Sequence, residues 1–496
     1  MEKRRKTEAV DGEILLPEPI IQHVQSFLTG KESAQTTILS KSWYSAWLTR
    51  PNLDFDQRDY RIRGFSDRCG YHEFAKKTMK RYQQLNLKID SFKLFINDFS
   101  LGKALIAKAM KMGAVDLHFE TTLSTFVLPH EVLESENLLR LSVTGCKIDA
   151  KVAWSSLESL SLCRVSIEGD IIWDIISICP LIEKLVLSEC KCLLKSQSPH
   201  SVTSSTKMLA LNHCLINLYE FRKLKCLFLE KVKISSLFFS DFSMKFPCLK
   251  DLTVCNCFGY KEIQIYSPSL ECITFEHKRI LRAKFDVPNI RKFSFSGSNV
   301  PSLSFERPSR ECKFEISIAW KRFRTSWFLK LSKFLGELSQ SILSLTLIIG
   351  TVLSESLDFT KDVGLPKPVV ENLMVEVASS VSSSLLDGLF WCFHPKSIYQ
   401  CWMPKSRTGE KGNNDLLELL CKTLIQEGSE GYCCIPNRNT SALHDLEEVN
   451  VDILEDNLGE FRPLPWKMLL DASASPERRR AILFNLKWGI DASTIK

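Results

Sequence analysis

The feature that most constrains this chain is a short apolar phrase that keeps returning. The spacing LxxLxLxx(C/N) is met cleanly at Leu138-Leu141-Val143-Cys146, Ile182-Leu185-Leu187-Cys190 and Leu249-Leu252-Val254-Cys257. Looser copies begin at Ile89, Ala114, Leu157, Thr206, Leu224, Leu270, Ile290, Glu311, Ile342 and Val370, giving thirteen registers 18 to 31 residues apart. Most steps fall in the range of about 20–29 residues expected of leucine-rich repeats. Positions i+3 and i+5 share one face of a short strand and point inward, because side chains alternate along a strand. One such unit cannot bury its own apolar face, so stacking must supply the core. The expected fold class is therefore α/β: an irregular repeat solenoid with a parallel sheet on its concave side.

Position i+8 is Cys in four registers, Cys146, Cys190, Cys214 and Cys257. This accounts for part of the 18 Cys without metal or redox chemistry. Cys190-x-Cys192 and Cys255-x-Cys257 lack the two-residue gap of a zinc site, and Cys433-Cys434 is adjacent. No phosphate loop, dinucleotide fingerprint or H-E-x-x-H is present. No metal, cofactor or catalytic residue is expected.

The opening MEKRRKTEAVDGE is charged and does not read as a secretory leader. No run of 18 apolar residues occurs, so no membrane-spanning helix is expected. The net charge of +7 is mild for 496 residues and does not call for nucleic acid. On the outward columns i+2, i+4 and i+6, Lys93, Arg140, Lys184, Lys292 and Lys313 face Asp116, Glu120, Glu230, Asp251, Glu276, Glu315 and Glu376. That balance is not a phosphate footprint. Lys3-Arg4-Arg5-Lys6 reads either as a nuclear import signal or as a solvated terminus, and the expected location is nucleus, cytoplasm or both.

Residues 12–52 have another texture. Pro17 and Pro19 sit where a first helical turn tolerates them. Ile20, Ile21, Val24, Phe27 and Leu28 follow as one apolar stripe. Gly30 reads as the stop of that helix. Lys31–Leu39 reads as a second short helix with Ala34 and Ile38 on one side, and Leu39, Trp43 and Trp47 recur every fourth residue on a third. So many large apolar groups on so small a module point to a protein partner.

This stretch, LPEPIIQHVQSFLTGKESAQTTILSKSWYSAWLTRPNLDFD, resembles a plant-type F-box. Leu16-Pro17, Ile20/Ile21, Phe27-Leu28, Lys31, Ala34, Thr37, Leu39-Ser40-Lys41, Trp43 and Trp47 stand in the family's order. Ser42 replaces a frequent Arg and Thr29 a frequent Pro; neither is an apolar anchor. With the repeats and the C-terminal segment, the chain resembles the plant F-box/leucine-rich-repeat family. The resemblance implies a non-catalytic substrate receptor of an SCF-type cullin-RING ubiquitin ligase. It would bind a SKP-family adaptor, and through it a cullin, by Leu16, Pro17, Ile20, Ile21, Val24, Phe27, Leu28, Ile38, Leu39, Trp43 and Trp47. The repeats would bind a protein substrate.

For that substrate, Val186, Met208, Ala210 and Phe228 fall on outward columns of three consecutive registers and would form one apolar patch. A shifted register would instead make them core. A ligand-gated receptor using the concave face, a stand-alone repeat scaffold and an enzyme remain the alternatives. The expected organisation is a disordered basic tail 1–11, an F-box 12–52, a connecting helical segment 53–88, repeats 89–380, and a repeat-like segment and α/β cap 381–496. Lys195–Thr206 and Met403–Asn414 read as polar loops or disordered insertions. Leu416–Gln426 reads as an amphipathic helix, Leu446-Val449-Val451 as a strand, Pro476–Leu483 as a helix start and Ile482–Trp488 as a closing strand. Arg478-Arg479-Arg480 would be the solvated face of the capping helix.

Overall fold

A computed structural model describes residues 16–62, 65–66, 68–168, 178–193, 206–208, 210–211, 222–234, 236–260, 262–277, 282–306, 311–320, 325–338, 342–349, 367–377, 383–402, 411–425, 433–434, 443–455, 461–463 and 480–489. The chain divides into two compact units, Met1–Ala210 and Leu211–Lys496. The fold is mixed α/β with large parallel sheets, compatible with a leucine-rich-repeat solenoid.

In the first unit, three short helices open the chain: α1 (Glu18–Ser26), α2 (Gly30–Gln35) and α3 (Lys41–Thr49). Parallel strands then run side by side in the order Asn52–Asp56, Ser91–Phe95, Asp116–Glu120, Arg140–Thr144, Ser159–Cys163 and Lys184–Ser188. The pairs Phe92/Leu94, Leu117/Phe119, Leu141/Val143, Leu160/Leu162 and Leu185/Leu187 are all buried. These are the i+3 and i+5 positions of the five registers from Ile89 to Ile182. Helix α4 (Arg68–Gln84) and helix α5 (Phe99–Lys111) join the first three rungs.

The first rung corrects the expected boundary at 53. Residues 53–88 are not simply a helical connector, because Asn52–Asp56 is already a strand, with Leu53 and Phe55 buried against Ser91–Phe95.

A second, smaller parallel sheet lies in this unit: Lys147–Ile148, Ser166–Glu168 and Lys191–Leu193. Thr206–Met208 joins it antiparallel, with Lys191 opposite Met208. The Thr206 register is therefore not a rung of the main sheet.

In the second unit the rungs are Cys226–Glu230, Asp251–Cys255, Cys272–His277, Lys292–Gly297, Lys313–Trp320, Ile342–Ile349, Val369–Val377 and His394–Trp402, all parallel. Where the steps are 20 or 21 residues, no helix fits. The return path is a strand instead, giving Glu262–Tyr266, Arg282–Asp286 and Ser302–Phe305. Their inward residues Ile263, Ile265, Ala283, Phe285 and Leu303 complete the sandwich. The 31-residue step after Glu311 holds helix Thr325–Glu337. Ser383–Cys392 is a second helix, linked to the first by Ser332 Oγ donating to the Cys392 carbonyl at 3.2 Å.

Beyond Trp402 the sheet turns antiparallel. Arg480–Trp488 lies between His394–Trp402 and Leu446–Glu455. The helix expected over Pro476–Leu483 is corrected on its described part: Arg480–Leu483 are strand, because Ala481 and Ile482 are buried in this pairing. Arg478 and Arg479 lie outside the described residues. The amphipathic helix is present as Lys411–Leu424, so Lys411–Asn414 belong to it; 403–410 and 195–205 lie outside the described residues. So does the basic run at residues 3–6.

Candidate protein-interaction surface

Helix α1 has two faces. Ile21 and Gln25, four apart, point into the module and are buried. Leu16, Ile20, Val24 and Phe27 run along the other face and are exposed, Phe27 to 77%. The ring of Phe27 is backed edge-on by His23, with centroids 4.9 Å apart. On the turn after α2, Ile38 is 87% exposed and Leu39 is also exposed. Tyr44, which the sequence pattern did not single out, is exposed too. Outward large apolar groups crowded on 29 residues are what a protein interface presents.

The frame beneath is held by polar contacts. Thr29 and Glu32 form a reciprocal capping box at α2, and the Thr29 hydrogen bonds hold the Glu32 carboxyl below its ordinary range. Ser40 caps α3 by accepting from the Trp43 backbone N–H. Buried Gln25 ties the helices together, its Nε2 donating to Thr36 Oγ1 at 3.0 Å and to the Trp43 carbonyl at 3.2 Å.

Several expected contact residues take other places. Ile21, 1% exposed, is packing core, because it occupies the inward face of α1. Leu28 and Trp43 are half-buried, whereas Pro17 is exposed. Trp47 sits at a seam: the guanidinium groups of Arg50 and Arg81 lie 5.9 and 5.7 Å from its ring centroid. That seam joins the helices to the repeats. Tyr82 Oη donates to the Arg50 carbonyl at 2.6 Å, and Gly30 N donates to Asp54 Oδ2 at 3.1 Å. Gly30 does not end a helix; it begins α2. A Cβ there would lie 2.6 Å from the Asp54 carbonyl oxygen, so the close approach needs glycine.

Of the four residues expected to form an apolar patch, Val186 and Phe228 are outward and half-buried on main-sheet strands. Met208 is on the smaller sheet opposite Lys191, and Ala210 is on a strand paired with Lys233–Ile234. Phe228 itself is in register: Leu227 and Leu229 are buried on either side of it, and it pairs with Thr253.

Two of the outward basic residues of the main sheet pair with outward carboxylates. Arg140 Nε is 3.1 Å from Asp116 and Lys292 Nζ is 2.8 Å from Glu315. Among the described residues, no group of three or more His, Cys, Asp or Glu is arranged to hold a metal ion. No helix among them is long and apolar enough to cross a membrane.

No protein-family model matches the chain. Among curated proteins it is similar to a putative F-box/LRR-repeat protein of Arabidopsis thaliana, 29% identical over 38% of this chain and 39% of that one. A second F-box/LRR-repeat protein of the same plant is 29% identical over 35% of each chain. An FBD-associated F-box protein of Arabidopsis thaliana is 31% identical over 35% of this chain and 42% of its own length. The chain thus spans about two fifths of the length of the curated relatives it matches. Together with the motif at Leu16–Trp47 and the repeat register, these relatives support the plant F-box/leucine-rich-repeat family for this chain.

Proposed function

We propose that the chain is the substrate-recognition subunit of an SCF-type cullin-RING ubiquitin ligase, acting in the nucleus, the cytoplasm or both. The exposed ridge Leu16, Ile20, Val24 and Phe27, continued by Ile38 and Leu39, is the observation that carries the reading. It would grip a SKP-family adaptor and so connect to a cullin. The sheet would hold a protein substrate, with Phe228 as an outward aromatic anchor. Such a subunit does no bond chemistry. It raises the local concentration of a substrate lysine beside a charged conjugating enzyme, an effective-concentration gain.

The test is direct association of the purified full chain with a SKP-family adaptor. Replacing both Ile20 and Val24 by Glu on the exposed face should abolish capture while circular dichroism is unchanged. Wild-type capture by the folded double variant would refute the assignment of this surface.

A further inference from the structure

Arg50 closes helix α3 and is 6% exposed. A guanidinium taken out of water is costly unless an anion or several acceptors meet it. The Arg50 Nε–H is shielded from solvent and has no acceptor. Among the described residues no carboxylate is within ion-pair distance of it; Asp54, the acidic group that acts on it, accepts instead from Gly30 N. Arg81, next to Tyr82 on α4, brings a second guanidinium to the same indole, and its Nε–H is likewise buried and without an acceptor. So is the Nε1–H of Trp47 itself.

Three donors, two of them cationic, thus gather at one ring. The face of the ring attracts both guanidinium groups, but it does not replace an oxygen acceptor. Burial lowers the Arg50 guanidinium most; Tyr82 and Asp54 raise it, and Arg81 lowers it again as a neighbouring like charge. Arg50 and Trp47 come from α3 and Arg81 from α4, so the two cations face each other across the joint that Tyr82 Oη holds by donating to the Arg50 carbonyl at 2.6 Å. Trp47 and Arg81 are only half-buried, which leaves an approach from the solvent side. Lys76 and Lys80 are exposed on α4 and add positive field along that helix.

We propose that this seam is a phosphate site, where a tetrahedral oxyanion, free or as a phosphate monoester, is held by the guanidinium groups of Arg50 and Arg81 and the indole N–H of Trp47. Guanidinium forks match phosphate oxygens, and a tetrahedral anion offers an oxygen to each of three donors, where a carboxylate has only two. Bound there, it would neutralise both cations and pin α3 to α4. The site acts on the joint and is independent of adaptor and substrate capture.

The test is the melting temperature of the purified full chain titrated with inorganic phosphate, with ionic strength held constant by chloride. The expected result is a saturable rise of about 2–4 °C, the gain from a ligand that binds only the folded chain. Arg81→Gln should abolish the rise. Arg81→Lys keeps the stem and the charge but loses the fork and the Nε donor, so it should fold as wild type and need at least ~10-fold more phosphate for the same rise. A parallel titration with O-phosphoserine separates the two sources: a matching rise assigns the site to phosphate esters as well, and no rise restricts it to the free ion. No saturable rise in wild type, an equal rise with chloride alone, or an unchanged phosphate midpoint in Arg81→Lys would each overturn the proposal.

Discussion

The thiol of Cys190 donates to the carbonyl of Leu162 at 3.3 Å, and Cys257 repeats the bond to Leu229 at 3.4 Å. In both cases the acceptor is the second inward residue of the preceding rung. At these two turns the i+8 cysteine is therefore a donor to a buried carbonyl of the preceding rung. Burial pushes both thiols up to about 12. Their folded-state value is raised, so their stabilisation is complete below the ordinary thiol value and is lost as pH rises from there toward about 12. Cys190→Ala should cost about 1–3 kcal/mol in urea unfolding, the cost of an unsatisfied buried acceptor. Native thiol labelling of Cys146, Cys190 and Cys257 should be slow at pH 8 and fast in denaturant. Rapid native labelling, or stoichiometric zinc by elemental analysis, would refute this role; Cys214 lies outside the described residues.

The residue before that position, i+7, is left-handed in five registers: Gly145 at φ 81°, and Arg164, Glu189, Lys231 and Asn256 between 48° and 53°. The N–H groups of Gly145, Arg164, Lys231 and Asn256 donate to the carbonyls of Cys163, Ser188, Cys255 and Glu276 at the end of the next rung, at 2.6–2.9 Å. A side chain costs roughly 1–2 kcal/mol in this conformation, and glycine does not pay it. Lys231→Gly should therefore raise the unfolding midpoint slightly. Gly145→Ala should lower it strongly, because its Cβ would lie 2.0 Å from the Thr121 carbonyl oxygen. Equal effects at the two sites would contradict the account.

Ile20 and Ile21 are neighbours with opposite tasks. Ile21→Ala should cost about 2–5 kcal/mol of stability, as truncations in packed cores do. Ile20→Ala should leave stability near wild type and weaken adaptor capture by about 30-fold or more, the loss of a hot-spot contact. Denaturation and binding measured on the same pair separate the two. A stability loss at Ile20 matching that at Ile21 would place both in the core.

Acid should act through His394. Burial, then the neighbouring Lys367 and His444, pushes its imidazole down to about 3 from an ordinary 6.5. It stacks on Trp488 with centroids 4.2 Å apart. Asp445 is 4.0 Å away and takes His444 at 2.7 Å instead. Because the folded value is depressed, the stabilisation is present above pH 6.5 and is lost as pH falls toward 3. Stability should drop by up to about 1.4 kcal/mol per pH unit in that window, and His394→Gln should flatten the slope. An unchanged slope would show that other groups govern acid unfolding.

Twelve of the thirteen registers are rungs of the main sheets because each places two apolar residues two apart, and burial of that pair fixes which way the strand faces. The strands of the second layer carry the same alternation, as in Glu262-Ile263-Gln264-Ile265-Tyr266, but lie between copies of the template. Asn52–Asp56 was hidden by its three polar outward residues and by the helical text beside it. At Thr206 the inward positions Leu209 and Leu211 satisfy the pattern, yet Thr206–Met208 pairs antiparallel with Lys191–Leu193. Partner choice between strands is a tertiary matter that spacing does not encode. On α1, sequence marked the apolar residues but not their division between Ile21 inside and Ile20 outside, since a helix this short can rotate either stripe inward.

Only Pro51 separates the buried Arg50, at the end of α3, from the strand beginning at Asn52, and Gly30 is hydrogen-bonded to Asp54 on that strand. There is no tether here to swivel. Whatever grasps α1 also takes hold of the sheet's first edge, so orientation is transmitted as by a welded bracket. Inserting a flexible linker after Arg50 would turn that fixed bearing into a search.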